Sequence, residues 1–138
     1  MVRGLRPPSR ECWPLGLLVL SVGSCGVGPT DLGRCSGELP LTVDQREGLR
    51  FTWEPADCPM YTLVVDEARV IRWSIWSNDD SRNQIGSGVE YGQVPPNAVE
   101  QSRGADPLLA RNRYRVAVTR IDEEGSQVTA GTAYFIKD

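Results

Sequence analysis

An all-β fold, a seven-stranded antiparallel sandwich, is what this sequence predicts, and three observations carry the prediction. From residue 38 onward apolar residues fall in short runs that alternate with polar ones, and no stretch holds a 3.6-residue period for long. Clusters of Gly, Pro, Asn, Asp and Ser separate the runs at the spacing expected of turns. The composition, 40% hydrophobic and 24% charged, is that of a folded globular chain rather than a disordered or membrane-embedded one. At 138 residues, less a leader, there is room for one domain.

The first segment is the leader. Residues 1–14 carry Arg3, Arg6 and Arg10, residues 15–20 are almost wholly apolar, and the small residues Gly23 and Ser24 precede Cys25. This is the layout of a secretory signal, and its apolar part is far short of the 18 or more residues that span a bilayer as a helix. A buried helix of the mature fold is opposed by Pro7, Pro8, Pro14 and the glycines between 23 and 28.

Val22, Gly23, Ser24 and Cys25 resemble the lipobox of bacterial lipoproteins, with Gly23 departing from the commonest pattern. The resemblance implies that residues 1–24 are removed and that Cys25 is acylated on sulfur and becomes the new N-terminus. Several acyl chains would then hold the chain at a membrane. Gly26 after the anchor, where Asp would retain the protein at the inner membrane, implies the outer membrane in a cell that has one. Cleavage discards Cys12 and lipidation consumes Cys25, which leaves Cys35 and Cys58 as an even pair in an oxidising compartment. Their bridge would add about 3 kcal/mol by restricting the unfolded chain; the alternative is two unpaired buried thiols. Residues 25–37 form the lipidated N-terminus and tether, whose glycine-rich part at 26–34 reaches about 15–18 Å as a flexible coil.

The strands follow over residues 38–138. Candidates are LPLTV (39–43), GLRFTWE (48–54), MYTLVVD (60–66), RVIRWSIWS (69–77), GVEYGQV (88–94), NRYRVAVTRI (112–121) and SQVTAGTAYFI (126–136). In the second, Leu49, Phe51 and Trp53 share one face and Arg50, Thr52 and Glu54 the other; Tyr114, Val116 and Val118 oppose Arg113, Arg115 and Thr119 in the same way. Rows of that size, worth roughly 1.5–3 kcal/mol per large side chain buried, need a second sheet to cover them. Glu54 to Asp57, residues 77–88 and residues 122–126 supply turns, with Gly125 free to take positive φ. The proline-punctuated stretch 94–107 reads as a crossover between sheets that hides a short edge strand around Ala98 to Gln101.

Over residues 38–137 the chain resembles a fibronectin type III domain, an immunoglobulin-like sandwich. Trp53 stands where that family often places a core Trp, LLARNRY (108–114) looks like the corner ahead of its strand F, and residues 114–135 look like its F to G hairpin. The likeness implies that Tyr114 buries its ring and returns its hydroxyl to the main chain near Leu108, with Ala110 in place of the usual Pro.

Charge and residue types narrow the function. Discounting residues 1–24 takes 15 basic and 18 acidic residues to 12 and 17, a net of −5. Nucleic acid is therefore not an expected partner, since its binding rests on Lys and Arg neutralising phosphates. The chain has no His, which removes the commonest general base and metal ligand, and no glycine-rich phosphate loop. A noncatalytic protein without cofactor or metal is expected. Asp79 and Asp80 in SNDDSRN lack the spacing of a calcium loop and read as a hairpin tip. In RWSIWS (72–77) strict alternation sends Ile71, Trp73 and Ile75 one way and Arg72, Ser74 and Trp76 the other. An exposed Trp76 beside Arg72 would suit a protein partner or a sugar ring; the bland reading has Trp76 covered by a loop. The expectation is a membrane-anchored envelope lipoprotein acting as a binding or structural module for a protein partner. A glycan-binding module is the alternative, and a hydrolase the least favoured.

Overall fold

In a computed structural model, which describes residues 34–138, the chain is an all-β sandwich of two antiparallel sheets. Its strands are β1 (Leu41–Asp44), β2 (Arg50–Trp53), β3 (Thr62–Glu67), β4 (Val70–Ser77), β5 (Val89–Glu90), β6 (Ala98–Glu100), β7 (Arg113–Ile121) and β8 (Gln127–Ile136). The smaller sheet runs β1-β2-β5 and the larger β6-β4-β3-β7-β8. Among the described residues no helix is long and apolar enough to cross a membrane. Cys25 and the leader lie outside the described residues.

Eight strands replace the expected seven. The addition is β6, the edge piece inside the proline-rich crossover, which lies along the last residues of β4. The fifth strand shrinks from seven expected residues to Val89 and Glu90, because Gly88 and Gly92 both take positive φ and bend the chain on either side. Between β3 and β4 the register slips: Val65 faces Trp73 and Asp66 faces Ile71, so Arg72 is an extra residue on β4. This bulge reverses the alternation beyond it. Trp73 and Ile75 stay in the core, but Ile71, expected beside them, turns outward and is exposed.

The core lies between the sheets. Phe51 and Trp53 from the smaller sheet meet Leu63, Val65, Trp73, Ile75, Tyr114, Val116 and Val118 from the larger, with Met60 and Ile85 closing one end. Phe135 of β8 packs against both Phe51 and Tyr114, at ring centroid distances of 6.0 and 5.6 Å. The Tyr114 hydroxyl accepts the Leu109 N–H at 2.8 Å, and Leu108 is half-buried against the core beside it.

The sheets are stitched along β8. Leu39 N–H donates to the Ala130 carbonyl at 2.7 Å, an approach that the missing side chain of Gly131 permits: a Cβ there would come within 3.0 Å of the Leu39 carbonyl oxygen. Further along, Gln45 Nε2 donates to the Ile136 carbonyl at 2.8 Å while its amide oxygen accepts the Asp138 N–H at 3.0 Å. Cys35 and Cys58 form a disulfide with their Cα atoms 5.5 Å apart. It closes a loop across 23 positions, and restricting that loop in the unfolded chain is worth about 3 kcal/mol. Replacing both cysteines by Ser should lower the unfolding free energy by that amount, read by urea titration of the folded domain; an unchanged midpoint would remove the bridge from the stability account.

Candidate functional site

The residues singled out in the sequence occupy different places. Trp53 is buried and its Nε1 donates to the Cys58 carbonyl at 2.7 Å, so it belongs to the core and to the disulfide loop. Trp76 is half-buried and its ring lies tilted against Tyr61, at 5.7 Å between centroids. Arg72 is half-buried as well, and its guanidinium reaches Glu67 and Asp106, each at 3.5 Å. Nothing brings Arg72 to the Trp76 ring. Asp79 accepts from the Ser81 main-chain N–H at 2.9 Å and from its hydroxyl at 2.7 Å; these bonds hold the carboxyl below its usual pKa and make a closed turn.

A different group comes together at the end of the sandwich where β3 turns into β4. Arg69, Arg111, Arg113 and Arg115, with Asp66, Glu67, Asn112 and Tyr134, line an open basin of about 860 Å³. The register explains how distant segments converge. Ile71, Asp66, Arg115 and Tyr134 stand side by side on β4, β3, β7 and β8, on the face of the larger sheet that points away from the core.

Both acids of the basin are already engaged. Asp66, almost fully buried, accepts from Arg115 Nε at 3.0 Å and from its terminal nitrogen, and this bonding raises the Arg115 pKa. Glu67 takes Arg72 and the Asn112 amide. Arg113 lies over the Tyr134 ring with its guanidinium carbon 4.7 Å from the centroid. Among the described residues, Arg69, Arg111 and Arg113 have no acidic partner. Around them lie Val70, Ile71, Leu109, Tyr134 and Ile136, five of the seven exposed large hydrophobic residues among the described residues. Apolar exposure is therefore concentrated at this end rather than scattered.

The backbone at this rim is strained. Ala68 and Arg69 form a two-residue hairpin loop with φ of 47° and 71°, where Gly or Asn is the usual occupant, and Arg111 sits at 69°. Among the described residues, three of the four non-glycine residues at positive φ thus border one basin. Strain of this kind collects at binding and switch sites.

No protein-family model, curated protein or solved structure matches this chain.

Next to the basin, Tyr91 packs edge-on against Trp73, at 5.3 Å between centroids, and its hydroxyl donates to the Asp106 carbonyl at 2.6 Å. That bond ties the crossover to the segment after β5, and the Asp106 N–H ties it to β4 by donating to the Arg72 carbonyl at 3.0 Å. The sequence pattern pointed to Trp76 and Arg72 and missed the basin, because its arginines come from a hairpin and a corner some forty positions apart; the only signal present was the run of Arg111, Arg113 and Arg115 ahead of and within one strand.

Two outcomes follow. Changing Ala68→Asn together with Arg69→Gly should stabilise the fold by about 1–2 kcal/mol by relieving the hairpin, seen as a higher urea midpoint; a lower one would show that the loop is not strained. Burial, and secondarily the Asp106 carboxylate, push the Tyr91 phenol up to about 12. Its contribution to stability is then complete below pH 10, the unfolded value, and is lost as pH rises through 12. Thermal unfolding between pH 9 and 12 should therefore fall less steeply in Tyr91→Phe than in the parent.

Proposed function

We propose that the chain is a lipid-tethered envelope protein whose sandwich is a noncatalytic binding module, engaging a protein partner through the arginine-lined end. The observation that carries the reading is the coincidence there of three guanidinium groups without an acidic partner among the described residues, clustered exposed apolar side chains and strained backbone. Arg and Tyr set among apolar neighbours are the residues that dominate protein interfaces, while clustered aliphatic groups are of little use to a sugar.

The placement of the chain supports it. Arg34, the first described residue, is ion-paired to Asp57 at 3.1 Å, just ahead of β3, whereas the basin lies past the last residue of β3. A tether entering at one end leaves the other free to face a partner. Cleavage at Cys25 is in turn consistent with a disulfide between Cys35 and Cys58, which leaves no thiol of the mature chain unused. We read the sandwich as fibronectin type III-like, with β6 as an added edge strand; the Tyr114 hydroxyl at Leu109 and the three-stranded sheet of β1, β2 and β5 support that reading.

Expressed from its full sequence in a bacterial envelope, the protein should pellet with membranes and show a mature mass that begins at an acylated Cys25. Cys25→Ser should release it. A photo-crosslinker at Leu109 should capture one stoichiometric protein partner, and the double change Arg111→Glu with Arg113→Glu should reduce capture at least tenfold. Unmodified native protein would overturn the tether; equal capture by the double variant would overturn the interface.

A further inference from the structure

On β7, Tyr114, Val116, Val118 and Arg120 alternate into the sandwich, so the row that begins as core ends in an arginine. Arg120 is only 8% exposed, and its Nε–H has no hydrogen-bond partner among the described residues. Burying a guanidinium without an acceptor is costly, and natural proteins keep such a group where something completes it. It borders a small cavity of about 230 Å³, lined also by Cys35, Pro59, Asn83, Ile121, Asp122 and Glu123.

None of these neighbours serves Arg120. Both atoms of the Asn83 amide are taken by the Ile121 backbone, at 2.8 and 2.7 Å. The Asp122 carboxylate accepts the main-chain N–H groups of Glu124 and Ser126. Neither Asp122 nor Glu123 is within ion-pair distance of the guanidinium among the described residues. Most of what remains is the apolar surface of the disulfide, Pro59 and Ile121.

We infer that the Arg120 cavity is a carboxylate site, completed by one planar monoanionic group. A carboxylate matches the guanidinium fork and fits the volume, and a single negative charge suffers less from Asp122 and Glu123 at the rim than a phosphate dianion would. Two sources supply that chemistry: Asp31, four positions before Cys35 and hence within about 14 Å of it along an extended chain, or a free carboxylate from outside. The site lies at the opposite end from the arginine basin and does not depend on it.

The test is nitrogen-15 NMR of the full mature chain at neutral pH, following the Arg120 Nε–H resonance, with acetate as probe and chloride at equal ionic strength as control. If the tether supplies the group, Asp31→Asn shifts the resonance and makes it titrate saturably with acetate, whereas the parent does not respond. If the group comes from outside, acetate shifts the parent and Asp31→Asn changes nothing. Arg120→Met, whose side chain suits the apolar walls, should fold, weaken acetate binding more than tenfold and lose the rise in melting temperature that acetate gives the responsive protein. A resonance indifferent to both Asp31→Asn and acetate, or an Arg120→Met protein whose melting responds to acetate as before, overturns the site.

Discussion

Two fully buried indoles determine much of what surrounds them. Each ring carries one N–H that burial removes from water, and leaving it unpaired would cost about 1–3 kcal/mol. Trp53 donates to the Cys58 carbonyl, which fixes the segment between β2 and β3 and brings Cys58 to where Cys35 can reach it. Trp73 donates to Glu100 Oε2 at 3.0 Å, and Glu100 is the last residue of β6. The short edge strand is thus held by an indole as well as by its backbone pairing with β4. Tyr91 then closes over Trp73 and fastens the rest of the crossover.

Because these aromatic groups and the aliphatic rows of β3 and β7 fill the space between the sheets, charge is left to the outer faces and the two ends. The ends differ. At one, guanidinium groups outnumber the acids available to them; at the other, the turn acids Asp79 and Asp122 are occupied by main-chain N–H groups, while a lone arginine is drawn into the edge of the core. A chain of modest net negative charge is in this way polarised along its long axis. Such a field orients an approaching charged partner before contact is made.

The sheet architecture was largely readable from alternation, since period-two rows such as Phe51 with Trp53 and Tyr114 with Val116 and Val118 leave one side of each strand nothing to do but pack. The turn residues likewise located the breaks. What was not readable depends on contacts between distant segments. The extra residue at Arg72 reverses Ile71, and no local pattern announces a bulge. The edge strand expected around Ala98 to Gln101 is present as β6, but the bond that holds it to Trp73 spans 27 positions and has no local signal. The basin needs the β3–β4 hairpin to sit beside the corner before β7, and although alternation puts Arg120 on the inward row of Tyr114, Val116 and Val118, nothing local tells what surrounds its guanidinium. Side-chain type was visible in each case; partnership was not.

The outer edge of β8 is engaged at two points, by Leu39 at Ala130 and by Gln45 at Ile136, which interrupts the run of main-chain groups it offers to another molecule. On the membrane surface proposed above, where neighbours would meet at high two-dimensional density, this matters more than it would in free solution. Copies crowded edge to edge meet a β8 ladder broken at Ala130 and Ile136, which works against strand-on-strand extension along that edge.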